Sequence, residues 1–176
     1  DVTLKNLFSI FKGKKQNKLA YADEVNLFKR TILYAAFPKN SRWYEVAGPN
    51  SKLEASAMVF FRKKEGVSDK DLKNFINEEL TTTLANTGML KELRNKAYSP
   101  WKQKQWNTPN VLHDNDKADQ FQASLMLGFT NRSEMDKFFK SEVVKRLSER
   151  IATYCSAVDA YEIFENEIEE DDEVDN

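Results

Sequence analysis

The sequence predicts an α+β protein of the ferredoxin-like class, with elements in the order β-α-β-β-α-β. Two observations carry this. A unit made of an apolar strand, a Ser-x-x-Asp helix start and an amphipathic helix occurs twice, from Ala55 to Leu84 and from Phe121 to Ile151. Each unit is followed by a further strand-like run, Leu93 to Tyr98 and Val158 to Phe164. This order defines a fold and names no substrate.

Residues 1 to 50 stand outside the repeat and read as a mainly helical N-terminal extension. Leu4, Leu7, Phe8 and Phe11 recur at helical spacing before Gly13, and Val25, Phe28, Ile32 and Ala36 share one side of a second candidate helix that Pro38 ends. The run Thr31 to Tyr34 equally suits a strand, being β-branched and aromatic. Arg42 to Val46 reads as extended, and Gly48-Pro49-Asn50-Ser51 marks a boundary. The α+β domain is then expected over residues 51 to 165, with an acidic disordered tail over 166 to 176.

In the first unit Ala57, Val59 and Phe61 alternate with Met58, Phe60 and Arg62, so both strand faces are largely apolar and both need cover. Ser68 and Asp71 form a capping box, and Leu72, Phe75, Ile76, Leu80 and Leu84 make the buried stripe of the helix. In the second unit Phe121, Ala123, Leu125, Leu127 and Phe129 fall on one face, with Gln122, Ser124, Met126, Gly128 and Thr130 on the other. Ser133 and Asp136 repeat the helix start, and Phe138, Phe139, Val143, Leu147 and Ile151 supply the stripe. Between the units, Ser99 to Ala118 is a long connection holding Trp101, Trp106 and the only histidine, His113. Connections of that length are usually functional or disordered, and aromatic content favours order.

A chain of 176 residues suits one domain of ordinary size. Its single cysteine, Cys155, has no internal disulfide partner and fits a reducing compartment. No apolar run approaches the roughly 18 residues of a membrane span, and no signal-peptide core opens the chain. A cytoplasmic protein that does not enter membranes is the expectation, although a start at Asp1 is compatible with a trimmed leader. From Glu165 onward there are eight acidic residues and no basic one, so the overall charge of −1 divides into −8 on this tail and +7 on the remainder. Such a tail stays solvated by self-repulsion, or shields a basic body from adventitious anions.

The stretch Met58-Val59-Phe60-Phe61-Arg62-Lys63-Lys64-Glu65-Gly66-Val67-Ser68, followed by the helix through Leu80, resembles the opening of EthD-like proteins in the dimeric α+β barrel superfamily. There a strand ends in basic residues before a Gly-Leu-Ser-like turn and the first helix. Phe121 to Leu147 similarly resembles the family's second half, and the resemblance spans about residues 55 to 165. It implies a four-stranded antiparallel sheet with helices on one face, and a homodimer in which the other faces of two sheets meet as a barrel. Met58, Phe60 and Arg62 on one strand, with Gln122, Ser124 and Met126 on another, would then line the barrel side and, with Trp101 and Trp106, be the ligand-binding candidates. The chain departs from the pattern at Glu78-Glu79-Leu80, where EthD-like proteins often carry a histidine. Neither predicted helix contains a histidine, so the proximal ligand of haem-degrading relatives has no equivalent. Neither haem nor another cofactor is expected. Asp119-Gln120 also stands where an acidic-glycine pair often precedes the third strand.

Candidate chemistry is sparse. His113 suits a general base over a barrel pocket, or is an exposed loop histidine beside Asp114 and Asp116. Tyr98 is the second candidate for proton transfer. One histidine with scattered carboxylates lacks the converging ligand set of a metal site. Trp101, Trp106 and Tyr98 either wall a hydrophobic ligand site or pin the long connection. No glycine-aromatic RNA-binding motif occurs, so Lys91, Arg94, Lys96, Lys102 and Lys104 read as a solvated basic stretch and no nucleic-acid partner is expected. The expected function is a homodimer that binds a small, largely apolar organic molecule, with a cofactor-independent oxygenase or similar enzyme as its catalytic version. The alternative is a non-catalytic binding or assembly module that uses the barrel face to oligomerise.

Overall fold

The computed structural model describes residues 40–46, 53–99, 111–112 and 120–163, with Tyr34 and Ala36. The helices expected before residue 34, Trp101, Trp106, His113 and the acidic tail lie outside the described residues. The chain divides into a unit of residues 1–35 and 99–120 and a unit of residues 36–98 and 121–176. In the first, Val111 and Gln120 are buried and Leu112 is exposed. The second holds every helix and strand that follows.

Strand β1 is Ser41–Trp43 and β2 is Ala55–Lys63. Helix α1 runs through an α-helical segment Asp69–Asn74, a π-helical segment Phe75–Leu80 and an α-helical turn Thr81–Ala85. Then come β3 (Glu92–Ala97), β4 (Phe121–Phe129), α2 (Arg132–Phe139), α3 (Glu142–Tyr154) and β5 (Cys155–Ile163). The spatial order is β1-β3-β4-β2-β5, with every neighbouring pair antiparallel. The inner arrangement β3-β4-β2-β5, connected by α1 and by α2 with α3, is the predicted ferredoxin-like topology.

Among the described residues the sheet has five strands where the resemblance implies four. Ser41–Trp43, which overlaps the Arg42 to Val46 run read as extended, pairs with Lys96, Asn95 and Arg94 of β3. The pairing is held by the buried Asn95, whose Oδ1 accepts from the Arg42 N–H at 3.1 Å. Asn95 Nδ2 donates to Asn77 Oδ1 at 2.5 Å and to Tyr44 Oη at 3.3 Å. One amide thus ties the edge strand, β3 and α1 together with its polar atoms satisfied.

The first helix starts as predicted. Gly66 makes the preceding turn with φ of +80°, and Ser68 Oγ accepts from the Asp71 N–H at 3.1 Å while its hydroxyl donates to Asp71 Oδ2 at 2.7 Å. The second differs from the Ser133/Asp136 expectation. Asn131, extended at φ −160°, is the cap and accepts from the Glu134 N–H at 3.0 Å. The helix then stops at Lys140 and restarts with Ser141, which caps α3 by accepting from the Val144 N–H. A residue that is extended and followed three positions later by a free amide caps better than one already inside the helix.

Leu72, Phe75, Ile76, Leu80 and Leu84 of α1 are all buried against Val59, Phe61, Leu93, Leu125, Leu127 and Phe129 of the sheet. In the π segment the Thr81 N–H reaches back to Ile76 O, five residues earlier, which keeps Phe75, Ile76 and Leu80 all facing the core. Gly128 permits the close approach of β3, since a Cβ there would lie 2.7 Å from Glu92 Cβ.

Candidate functional site

Among the described residues the helices lie on one side of the sheet, so on these residues the strands present one helix-covered face and one open face. On the open face, Phe60 is the hub of an aromatic cluster. Its ring lies 5.2 Å from Phe121, 6.5 Å from Tyr98 in stacked orientation and 6.0 Å from Tyr161 edge-on. Tyr98 Oη and Ser124 Oγ share a hydrogen bond of 2.7 Å, and the Arg62 guanidinium sits 5.3 Å from the Phe121 ring centre. Towards the β1 edge, Arg94 stacks 4.5 Å above Trp43 and donates to Met126 Sδ at 3.0 Å.

Met58, Phe60, Arg62, Ser124 and Met126 therefore share this face, and Tyr98 joins them through Ser124. Phe121 does too, contrary to the alternation that put it with Ala123 and Leu125. A bulge is the reason: Phe61 opposes Ala123 but Arg62 opposes Phe121, leaving Gln122 as the extra residue. Gln122 Oε1 accepts from the Lys63 N–H at 2.5 Å, which commits that side chain to holding the bulge. Strict alternation cannot reveal a bulge, so Phe121 was not legible as an open-face aromatic.

A second feature occupies the helix-covered face. An apolar cleft of about 370 Å³ lies beneath α1 and α3. Val59, Phe61, Leu125 and Leu127 form its floor, Leu80 and Leu84 one wall, and Leu147 and Ile151 the other. Its lining is exposed at Ser148, Ala152, Val158 and Ala160, which mark the mouth beside β5. The gap arises because Ala160 opposes Val59 at the sheet edge and is too short to reach α3. None of these residues was singled out from the sequence as a site, because a cleft between core stripes reads as core.

Among the described residues the only titratable side chain in the lining is Cys155, whose thiol burial pushes up to about 11. It is neutral at physiological pH and supplies no thiolate. On its described residues the cleft offers shape and desolvation, with no acid or base near neutrality.

Above the cleft α1 and α3 are clasped. Arg150 donates to both carboxylate oxygens of Glu79 at 2.7 and 2.8 Å, and Phe75 stacks on Tyr154 at 4.3 Å. Hydrogen bonding from Arg150 holds the Glu79 carboxyl below the usual carboxylate range, with burial opposing and the guanidinium charge assisting. The stabilisation is thus present above the unfolded-state pKa and lost as pH falls through the lower folded value. An exposed pair contributes little. The expected result is a small melting-temperature advantage of the native protein over Glu79→Gln at pH 7 that closes under acid titration; a gap unchanged at low pH would contradict it.

No helix among the described residues is long and apolar enough to cross a membrane. No protein-family profile matches the chain, and no curated protein matches it by sequence. Among solved structures, it is similar to a hypothetical protein of Arabidopsis thaliana at 10% identity and TM-score 0.47, over 67% of this chain and 93% of that one. It is also similar to hydroxynitrile lyase from Passiflora edulis at 20% identity and TM-score 0.47, over 66% of this chain and 97% of that one. A third is a dimeric protein of unknown function and ferredoxin-like fold from Bacteroides fragilis, at 8% identity and TM-score 0.41, over 64% of this chain and 98% of that one.

Proposed function

We propose that this protein is a cytoplasmic homodimer that binds a small, largely apolar organic molecule, with the ligand in the helix-side cleft and the open sheet faces forming the subunit contact. The observation that carries the reading is the cleft itself. Its volume of about 370 Å³ lies within the range of small-molecule sites, roughly 300–1,000 Å³. Its floor and walls are aliphatic and aromatic, so it selects a neutral, poorly hydrated molecule. The open face supports the second half: Trp43 and Tyr161 are 66% and 57% exposed there, and apolar surface of that kind marks interfaces.

The EthD-like resemblance of Met58 to Ser68 is consistent with this reading. Turnover is a further step. The Tyr98 hydroxyl, held by Ser124, lies on the opposite face of the sheet from the cleft and does not reach a ligand there, while His113, Trp101 and Trp106 lie outside the described residues.

The test uses N-phenyl-1-naphthylamine, a neutral apolar fluorophore, as the probe. Saturable fluorescence enhancement at one probe per chain, with a rise in melting temperature that grows with probe concentration, is expected. Linear, non-saturating fluorescence with no thermal shift would remove the ligand reading.

A further inference from the structure

Strand β5, Cys155–Ile163, is an edge of the sheet: among the described residues it pairs with β2 alone. Its other side is a row of backbone N–H and C=O groups nine residues long, a template for one more strand. The usual guards against such pairing are thin. No proline, lysine or arginine occurs from residue 155 to 163, and the one bulge, where Arg62 opposes Ala157 and Lys63 opposes Cys155, sits at the start of the strand.

The apolar cleft opens at this same edge. Val158 and Ala160 stand opposite Phe61 and Val59 of β2, on the helix-covered face, and both are exposed at the cleft mouth. A strand laid beside β5, about 4.8 Å away, sets the residues opposite Val158 and Ala160 on that face too. A large apolar side chain there passes over the short Ala160 into the space lined by Leu147 and Ile151. Its sequence neighbours turn to the other face, beside Asp159.

Charge decides the occupant. Asp159 and Glu162 are the only charged residues of β5, and Glu162 is paired with Arg132 at 3.0 Å. The sequence after Ile163 adds eight acidic residues and no basic one. A second copy of β5 would set acidic strand against acidic strand, and an antiparallel pairing centred on Asp159 would oppose that carboxylate to its own copy. A basic segment meets the opposite charge.

We propose that the free edge of β5 takes an extended, basic protein segment as an added strand, with one large apolar side chain of that segment seated in the cleft mouth. Backbone pairing supplies the affinity and the cleft selects the side chain, as in other strand-addition sites. The seating of the side chain rests on the reading of the cleft as an apolar binding site; the strand pairing does not.

The probe is fluorescein-labelled Lys-Val-Lys-Phe-Lys-Val-Lys, titrated with the full chain and read by fluorescence anisotropy. Saturable binding is expected, with slowed amide hydrogen exchange in Cys155–Ile163 and displacement of N-phenyl-1-naphthylamine. Only alternate amides of an added strand face β5. N-methylation of one alternating set is therefore expected to raise the dissociation constant at least about tenfold, and of the other set to leave it within about threefold. Serine in place of the phenylalanine is expected to cost at least about tenfold. Equal effects of the two N-methylated sets, or unchanged exchange in β5, would overturn the strand pairing and leave attraction to the acidic residues as the cause of binding. Peptide binding that requires dissociation of a native dimer, seen by sedimentation equilibrium, would overturn it in favour of a second copy on this edge. A protein that binds N-phenyl-1-naphthylamine but not the peptide would overturn this inference alone, whereas one that binds the peptide but not the fluorophore would overturn the cleft reading and the seating of the side chain.

Discussion

Ala160→Trp is expected to abolish saturable binding of N-phenyl-1-naphthylamine while leaving the fold and the oligomeric state unchanged. Ala160 is exposed at the cleft mouth and opposes Val59 at the sheet edge, so an indole there has solvent on one side and the empty cleft on the other. Burying the ring over Leu147 and Ile151 removes apolar surface from water, worth about 1.5–3 kcal/mol for a large side chain. The variant should therefore melt no lower than the native protein. Competition is direct, since ring and probe need the same space. Fluorescence titration with a melting curve checks it, and native-like affinity in a folded Ala160→Trp would place the probe elsewhere.

The largest stability effect is expected at Phe129. Its ring is fully buried at the end of β4, 5.3 Å from Phe138 and 6.3 Å from Phe139, where the sheet meets α2. Phe129→Ala removes the ring from a closely packed three-ring cluster, and buried Phe→Ala changes cost about 3–5 kcal/mol. That is a large part of the roughly 5–15 kcal/mol that holds a domain folded. Phe139→Ala, on a ring 36% exposed, should cost well under half as much. Urea denaturation read as the shift in midpoint separates the two, and equal shifts would contradict the packing described.

The element order was readable because period-2 and helical spacing are strong local signals: Ala57, Val59 and Phe61 point into the core as the alternation requires, and so does the Leu72 to Leu84 stripe. What was not readable depended on partners distant in sequence. Arg42 and Trp43 were readable as extended, but their pairing with β3 depends on Asn95, 53 residues away from Arg42, which bonds its backbone. Phe121 changes face because of a bulge that exists only in its pairing with Arg62. Asn131 displaced Ser133 as the helix cap because cap preference for asparagine and serine is nearly equal and the exit angle of β4 decides between them. Of the residues singled out for the site, the open-face group was legible from alternation, whereas the cleft needed the helices to be placed before the shortness of Ala160 meant anything.

Methyl-resolved NMR of the native protein under titration with N-phenyl-1-naphthylamine tests most directly where the ligand sits. Leu147, Ile151 and Val158 line the cleft, while Met58 and Met126 lie on the open face at matched positions of β2 and β4. Saturable shifts of the Leu147, Ile151 and Val158 methyls, with the two methionine methyls unmoved, are expected. Shifts confined to Met58 and Met126 would contradict the assignment and move the ligand to the open face.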